Sequence, residues 1–292
     1  MLVRYIALMA RLGHEGVMIS FVIAAFGTII SLCLGSFFGV VITRSLLQES
    51  IVHPRSHCDE CRHALAWYDL VPMLSFAWLK GRCRYCKTPL SLFYPTIEIA
   101  TAASFLFCYF NYGLTLAGTE QFVLFVLLLL LAFSDALALI LPLRYLVLLI
   151  LLGLIHTPVA EALADGAWLG AFELIRTRLT VATLSGLLML AVAFGGTWWL
   201  RRRGRIEPSE MAMGLGDPVL FFGLGLWFEV QALYFVLFLA SLQGTLYALW
   251  MSSRSRKDNG QPLYSLKLPL GTFLCLAALE MLVLPSFFSQ LV

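Results

Sequence analysis

Long apolar stretches separated by shorter polar ones run through the whole sequence. A helix needs about 20 apolar residues to cross the hydrocarbon core of a bilayer. A backbone in lipid must also satisfy its own hydrogen bonds, so such spans are helices rather than open strands. The pattern predicts an all-α polytopic membrane protein with about eight transmembrane helices. The predicted spans are roughly 17–43, 94–112, 121–141, 144–160, 178–200, 215–229, 231–251 and 268–288.

One polar segment, residues 44–93, is long enough to fold by itself between the first and second predicted helices. We therefore divide the chain into a first transmembrane helix (1–43), a small extramembrane domain (44–93) and a core of seven helices (94–292). The sixth helix is short, and its boundary with the seventh falls around Glu229.

The composition agrees with a membrane location. Hydrophobic residues make up 60% of the chain and charged residues only 13%, whereas a soluble domain carries about 25% charged residues. A chain with this balance cannot cover a water-soluble globule with polar surface. Arg4 and Arg11 precede an apolar stretch, 17–42, that is too long for the core of a signal peptide. We interpret that stretch as the first membrane helix.

The basic residues are unevenly distributed. If 44–93 is cytoplasmic, then 201–214, 252–267 and the turn at Arg144 are cytoplasmic as well. Lys and Arg number seven in 44–93, four in 201–214, four in 252–267 and one at the turn, which is 16 of the 20 in the chain. Loops rich in Lys and Arg remain on the cytoplasmic side of a membrane. We therefore expect both termini on the outer side and the polar domain in the cytoplasm.

The polar domain contains two CxxC pairs, Cys58 with Cys61 and Cys83 with Cys86, separated by 21 residues. Two such pairs can present four thiolates to one tetrahedral Zn²⁺. A domain this small cannot bury a sufficient core alone, and a metal ion can supply the missing stability. We predict a structural zinc site in a ribbon-like domain. Four thiolate ligands leave no open position, so zinc is not expected to be the catalyst.

Disulfides and redox-active thiols are the alternatives for these cysteines. The predicted cytoplasmic side is reducing, which argues against disulfides, and the spacing favours metal binding over redox chemistry. Basic side chains in the loop also allow nucleic-acid binding, but the positive-inside bias and contact with lipid headgroups explain them, so we expect membrane lipid and no nucleic acid as a partner. These basic residues are Arg62, Lys80, Arg82, Arg84 and Lys87.

Acidic residues within predicted spans are costly and mark candidate sites. Asp135 is predicted near the cytoplasmic end of the third span, and Asp217 at the cytoplasmic start of the sixth. The topology therefore places both at a similar shallow depth. Gly214 and Gly216 allow an unwound or closely approached backbone before Asp217.

Two facing carboxyls can share one proton, so that the ionised one activates water while the protonated one polarises a peptide carbonyl. Asp135 and Asp217 are thus the candidate catalytic pair, with helix capping or interhelical hydrogen bonding as the structural alternative. Glu280, in the eighth span, is interpreted as a polar packing contact. Glu98, near the cytoplasmic end of the second span, is expected either to orient the loop or to contact substrate.

The stretch from Cys58 to Ala102 strongly resembles the cytoplasmic loop of the bacterial type IV prepilin peptidases, which are GxGD aspartyl membrane proteases. It reads CDECRHALAWYDLVPMLSFAWLKGRCRYCKTPLSLFYPTIEIATA, against family runs of CPxC, HxIxWYDxIP, GRCRxC and ISxRYPxVE. Upstream, GSFFGVVITR is similar to the family's GSFLNVVIxR. Asp135, seven residues before Pro142, matches the first catalytic aspartate, and GLGD, ending at Asp217, matches the GxGD motif.

The resemblance implies an aspartic endopeptidase of the bacterial inner membrane that serves type IV pili and type II secretion. Its substrates would be prepilins or pseudopilins with a basic leader and a hydrophobic N-terminal helix, cleaved at the cytoplasmic face. Many family members then methylate the new N-terminus with S-adenosylmethionine. Asp135 and Asp217 carry over as catalytic residues, supported by Gly214 and Gly216. The candidate substrate or methyl-transfer region comprises Tyr94, Pro95 and Glu98.

Several positions depart from the family pattern. Both catalytic acids are retained, so retained proteolysis is expected, while the changes in and beside the loop bear on methyl transfer. The family's Pro is Asp59 in this chain, its Asn is Gly39 and its Arg is Phe93. The family's second acid is Leu137, its Asp is Leu143 and its Lys is Val219. These departures also motivate the rival hypothesis of an inactive scaffold that binds pilin-like helices. A proton-relay transporter would require deeper acids and an internal repeat, and neither is found. The cysteine loop argues against a presenilin-like protease.

Overall fold

The computed structural model of the chain describes residues 2–156, 159, 165–207, 209–258 and 268–284. Within these ranges the regular structure is helical and no strand occurs, which confirms the all-α class. Two isolated β-bridges lie in the polar loop, together with a 3-10 turn at Trp67–Asp69. The helices are α1 (Leu2–Leu46), α2 (Leu74–Trp78), α3 (Phe93–Tyr112), α4 (Leu116–Ala138), α5 (Leu143–Leu154), α6 (Trp168–Arg202), α7 (Gly216–Trp227), α8 (Val230–Asp258) and α9 (Leu270–Val283).

Each of the eight predicted spans contains a helix, and five of these are long and apolar enough to cross a membrane. The helices α5, α7 and α9 are shorter, with 12, 12 and 14 residues, and their crossing stays a prediction. The five candidate spans are Gly16–Leu46, Phe93–Tyr112, Leu116–Ala138, Trp168–Arg202 and Val230–Ser253. The chain is thus a multi-pass membrane protein.

The third span ends earlier than the sequence pattern predicts. Helix α4 stops at Ala138, and Leu139 adopts a left-handed conformation with φ of 55°. Its N–H donates to the carbonyl of Asp135 at 2.8 Å, which closes the helix end. Pro142, shortly after, disfavours a helical residue before it. Asp135 therefore lies within the last turn of its helix, closer to the helix end than the hydrophobic run indicates.

The chain forms two compact units, Met1–Leu129 and Leu130–Val292. In the first unit, α1 and α3 pack closely through small residues. A β-carbon added to Gly35 would lie 2.7 Å from the Cα of Glu98, so only glycine permits this approach. The hydroxyls of Ser20 and Tyr109 share a 2.9 Å hydrogen bond further along the same contact. Small residues and interhelical hydrogen bonds are typical of helix packing in lipid.

In the second unit, α7 is enclosed by its neighbours. A β-carbon on Gly225 would lie 2.6 Å from the Cα of Ala182 in α6. Arg178, also in α6, donates to the carbonyl of Trp227 at 3.0 Å and so satisfies the end of α7. The indole N–H of Trp227 donates to the carbonyl of Leu149 in α5 at 2.9 Å. These contacts fix the helix that carries Asp217.

The helices α8 and α9 of the second unit share a polar contact. The side-chain amide of Gln243 donates to Oε1 of Glu280 at 2.8 Å. This contact confirms the interpretation of Glu280 as a polar packing residue between helices.

Candidate active site and metal centre

The four cysteines of the polar loop converge on one point. The sulfur atoms of Cys58, Cys61, Cys83 and Cys86 all lie within 4.8 Å of one another, and those of Cys58 and Cys86 are 3.8 Å apart. Sulfurs about 2.3 Å from a central zinc ion would be separated by about 3.8 Å along each edge of the tetrahedron. The donor set therefore fits one tetrahedral metal ion, as the CxxC spacing predicts.

The two CxxC pairs form turns of the same construction. The N–H of Arg62 donates to the carbonyl of Cys58 at 2.9 Å, and the N–H of Lys87 donates to that of Cys83 at 3.1 Å. Arg62 and Lys87, each directly after the second cysteine of its pair, are both left-handed, with φ of 55° and 62°. A left-handed residue costs about 1–2 kcal/mol for a non-glycine side chain. The same geometry in both halves of the loop aims both cysteines of each pair at the shared centre.

A buried carboxylate joins the two halves of the loop. Oδ1 of Asp69 accepts a 2.6 Å hydrogen bond from Nε of Arg84, and Oδ2 accepts from the Tyr85 hydroxyl at 3.2 Å and the Ala66 N–H at 3.3 Å. Burial acts to raise the pKa of Asp69, but the hydrogen bonds from Arg84 and Ala66 outweigh it, so this pKa lies below its ordinary value.

Arg44 anchors the entrance of the loop. This buried side chain at the end of α1 donates to the carbonyls of Ser50 at 2.9 Å, Ile51 at 3.1 Å and Pro54 at 2.7 Å. Its guanidinium therefore satisfies three carbonyls in a segment without regular structure.

The other end of the loop is held by the first turns of α3. The buried carboxylate of Glu98 accepts a 2.8 Å hydrogen bond from the N–H of Met73. The ring of Tyr94 packs against Gly39 of α1, whose added β-carbon would lie 3.1 Å from it, and Pro95 is buried in the first turn of the helix. Of the two roles expected for Glu98, its contact with the loop is the one that the structure displays.

Asp135 receives its hydrogen bonds from the start of α9. The N–H of Thr272 donates to Oδ2 of Asp135 at 2.6 Å, and the Thr272 hydroxyl lies 3.0 Å from the same oxygen. The hydroxyl is also 3.0 Å from the carbonyl of Ala132. Thr272 is in the first turn of α9, where backbone N–H groups have no partner within the helix. Asp135, 5% exposed, therefore caps a helix other than its own.

Asp217 lies in the first turn of α7 and is 7% exposed. The starts of α7 and α9 converge on one side chain, that of Leu141. A β-carbon on Gly216 would lie 3.0 Å from Cβ of Leu141, and one on Gly271 would lie 3.0 Å from its Cδ2 and 3.1 Å from Cγ of Asp135. Gly214 has a looser environment, since its β-carbon would meet Oδ2 of Asp217 at 3.7 Å. Gly216 is thus required by close packing, whereas Gly214 is not.

The surroundings of the two predicted acids share one neighbour, because Gly216, next to Asp217, and Gly271, beside Asp135, both approach Leu141. The charge of Asp135 acts on the Asp217 carboxyl, and both charges act on the fully buried thiol of Cys275 in α9. Two neighbouring buried carboxyls resist double ionisation, and such a pair can share one proton. Such a pair can activate a water molecule and polarise a carbonyl.

Sequence reasoning missed three residues that support these sites. Thr272 follows an unremarkable Pro-Leu-Gly run, and only the position of its helix start places it beside Asp135. Asp69 belongs to the WYD run of the resemblance, and Arg44 ends GSFFGVVITR. The family motifs that contain Asp69 and Arg44 could therefore have identified these two residues from the sequence.

Two surface cavities were compared with the donors that S-adenosylmethionine requires. Two surface cavities of about 530 and 460 Å³ lie along α6, and neither has an acidic residue for a ribose hydroxyl or the sulfonium. One carboxylate oxygen of Glu98 already accepts the N–H of Met73. The residues lining these cavities do not fit the group. The larger cavity is lined by Phe194, Thr197, Trp198, Arg201 and Arg202, and the smaller by Phe172, Ile175, Arg176, Leu179, Thr180, Thr183 and Leu184.

Comparison with protein families covers both units of the chain. Residues 29–112 match the bacterial Peptidase A24 N-terminal domain, and residues 122–249 match the Type IV leader peptidase family. The first match contains the four cysteines and Glu98, and the second contains Asp135 and Asp217. No solved structure matches the chain.

Curated relatives carry the same description. A "Prepilin leader peptidase/N-methyltransferase" of Myxococcus xanthus is 37% identical over 228 residues, which is 78% of this chain but only 63% of that protein. Its namesake in Klebsiella pneumoniae is 36% identical over 224 residues, covering 72% of this chain and 87% of the relative. A "Type 4 prepilin-like proteins leader peptide-processing enzyme" of Escherichia coli is 30% identical over 244 residues, covering 76% and 83%. The chain belongs to the type IV leader peptidase family.

Proposed function

We propose that this protein is an aspartic endopeptidase that removes the leader peptide of type IV prepilins or pseudopilins. Asp135 and Asp217 are its catalytic residues. The observation that carries the proposal is the placement of two buried carboxyls at the end of α4 and the start of α7, where Gly216, next to Asp217, and Gly271, beside Asp135, both pack against Leu141. Both lie in the part of the chain that matches the Type IV leader peptidase family.

The reaction requires one carboxylate and one carboxylic acid. The carboxylate removes a proton from water as the water oxygen attacks the scissile carbonyl carbon, and the acid gives its proton to the carbonyl oxygen. A tetrahedral diol results. As the C–N bond breaks, the group that took the water proton gives it to the leaving nitrogen. The other carboxylate takes a proton from the diol, which restores the starting pair.

Both acids lie at helix ends, which suits an extended substrate. The glycines before Asp217 leave the backbone free of side chains at the start of α7. We propose that the substrate helix enters from the lipid, with its basic leader in the cytoplasm and its scissile bond between the two carboxyls.

The four cysteines hold a structural Zn²⁺ in this proposal. Tetrahedral thiolate coordination supplies folding energy to the loop and offers no open position for substrate. Arg44 and the first turns of α3 then tie the folded loop to the membrane helices.

We further propose that the enzyme lies in the bacterial inner membrane, with both termini in the periplasm. The zinc domain and the acids would face the cytoplasm, where the basic loops contact lipid headgroups and no nucleic acid is bound. The supporting observation is the concentration of Lys and Arg in the loops on one side.

Methylation of the new N-terminus is the second candidate function. The relatives' names include N-methyltransferase, and S-adenosylmethionine would supply the methyl group. Tyr94, Pro95 and Glu98 stay the candidate region for substrate binding or methyl transfer.

The test is cleavage of a cognate prepilin by the purified protein in detergent, followed by mass spectrometry of the pilin N-terminus. We expect the wild type to release the leader, while Asp135→Asn and Asp217→Asn each lose cleavage by at least about a thousandfold. Asp165→Asn, at an exposed acid outside the site, should retain wild-type cleavage. Retained cleavage in both site variants would refute the assignment.

Binding of prepilin by the wild type without turnover would favour the scaffold hypothesis. The same spectra report methylation.

A further inference from the structure

The hydrogen bonds to the two acids are unequal. Oδ2 of Asp135 accepts the N–H of Thr272 at 2.6 Å and lies 3.0 Å from the hydroxyl of the same residue. Within the described part of the chain, no hydrogen bond to the side chain of Asp217 is found. Donors aimed at a carboxyl favour its ionised form.

We propose that Thr272 is a positioning residue that holds Asp135 as the ionised, water-activating member of the pair and leaves Asp217 as the proton donor. This inference rests on the proposed function, because it divides the two catalytic roles between the two acids.

The backbone N–H of Thr272 acts as the fixed part of this arrangement. It lies in the first turn of α9, where the partial positive charge of a helix start also favours an anion. Asp217 lies in the first turn of α7 and feels a comparable helix field. The direct hydrogen bonds from Thr272, rather than the helix fields, therefore distinguish the two acids.

The hydroxyl of Thr272 can change its hydrogen-bond acceptor when Asp135 gains or loses a proton. It has one hydrogen and two acceptors at the same distance of 3.0 Å, Oδ2 of Asp135 and the carbonyl of Ala132. When Asp135 is ionised, the hydroxyl donates to Oδ2. After Oδ1 of Asp135 has taken a proton from water, Oδ2 is no longer charged, and the hydroxyl can donate to Ala132 instead. The side chain therefore supports both states of the base without moving a heavy atom.

The pH dependence of the reaction is a suitable readout. Among the described residues, the titratable groups on which the charge of Asp135 acts are Asp217 in α7 and Cys275 in α9, and both remain in a Thr272 variant. A hydrogen bond to a charged group shifts the ionisation equilibrium of that group by about a factor of ten or more. Removal of the hydroxyl should therefore lower kcat about tenfold and move the acidic limb of the pH–rate profile up by about one pH unit. KM should stay within about twofold, since Thr272 acts through Asp135 and not on substrate.

The experiment compares full-length wild type, Thr272→Val and Thr272→Ser on one prepilin across pH. We expect Val to lower kcat and shift the acidic limb, and Ser to restore both. Thr272→Ala serves as a second hydroxyl-free variant if Val does not fold. Thr28→Val is the matched control, because that half-buried hydroxyl bonds only a carbonyl within its own helix, at 2.7 Å, and its profile should be unchanged.

The outcomes separate the two proposals. An inactive wild type refutes the proposed function itself. An active wild type whose profile is unmoved in the hydroxyl-free variants overturns the role of Thr272, as does an equal loss in the Ser variant.

Discussion

The carboxylate of Glu98 accepts a 2.8 Å hydrogen bond from the backbone N–H of Met73, which ties α3 to the polar loop. Met73 has φ of 59° and ψ of −47°, and the N–H of Leu74 reaches the carbonyl of Pro72 at 2.5 Å. A residue in this region of backbone space is strained by about 1–3 kcal/mol, and surrounding contacts must compensate for it. Glu98 is therefore a local support for a tight turn in the loop.

Replacing Glu98 with Ala should release this turn. The Met73 amide would lose its acceptor, and we expect it to exchange with solvent deuterium about tenfold faster or more. Hydrogen exchange of the segment 71–76, read by mass spectrometry, measures the effect. Glu173→Ala, at an exposed i,i+3 ion pair of α6, should leave that segment unchanged. Unaltered exchange in Glu98→Ala would show that the turn does not depend on this bond.

Removing one metal ligand should unfold the polar loop. Cys58→Ser breaks a four-thiolate set whose members lie within 4.8 Å of one another, and binding of a structural zinc ion is worth about 10 kcal/mol or more. We expect the purified variant to contain far less than one zinc per chain and to be cleaved by protease within 44–93. Cys33→Ser, at an isolated cysteine of α1, is the control. Full zinc content in Cys58→Ser would contradict the assigned ligand set.

Asp69→Asn should weaken the same loop in a pH-dependent manner. The pKa of Asp69 is lower in the folded protein than its ordinary value of 3.8, so the ionised carboxyl stabilises the fold above that value. This contribution is lost as pH falls through the lower, folded pKa. We expect a loss of about 1–3 kcal/mol at neutral pH, seen as a lower Tm of the loop.

The difference between wild type and Asp69→Asn should shrink as pH falls below about 4. A Tm difference that is the same at neutral and acidic pH would exclude the ion pair with Arg84 as its source.

Adding one methyl group at Gly271 should disturb the site without changing its chemistry. The new β-carbon would lie 3.1 Å from Cγ of Asp135 and 3.0 Å from Leu141, which is closer than normal packing permits. We expect Gly271→Ala to lower cleavage about tenfold or more, since misplacement of a catalytic group by 1 Å costs up to about a hundredfold. Gly195→Ala, at an α6 glycine with no atom within 4 Å of the added carbon, should cleave normally.

The sequence predicted those features that depend on patterns within short windows. The apolar runs located the helices, the CxxC spacing located four sulfurs that converge, and the cost of acids in lipid singled out Asp135 and Asp217. The end of α4 was misplaced because hydrophobicity continues through Leu141, whereas the backbone turns left-handed at Leu139.

The contacts that complete the site depend on tertiary approach. Thr272 is 137 residues from Asp135 in the chain, and nothing in a Pro-Leu-Gly-Thr run indicates an acceptor that distant. The support of Asp69 by Arg84 likewise requires the two CxxC turns to be folded side by side. Short-range patterns cannot specify such pairs.

The separation of Asp135 from Thr272 also bears on biosynthesis. A ribosome that has synthesised the chain as far as α8 has already delivered both acids to the bilayer, but not the donor that organises them. Until α9 is inserted, Asp135 is a carboxyl without its partner, and the cost of an unpaired charge in lipid keeps it neutral. We therefore expect the hydrogen bonds that organise Asp135 to form only after α9 has been synthesised.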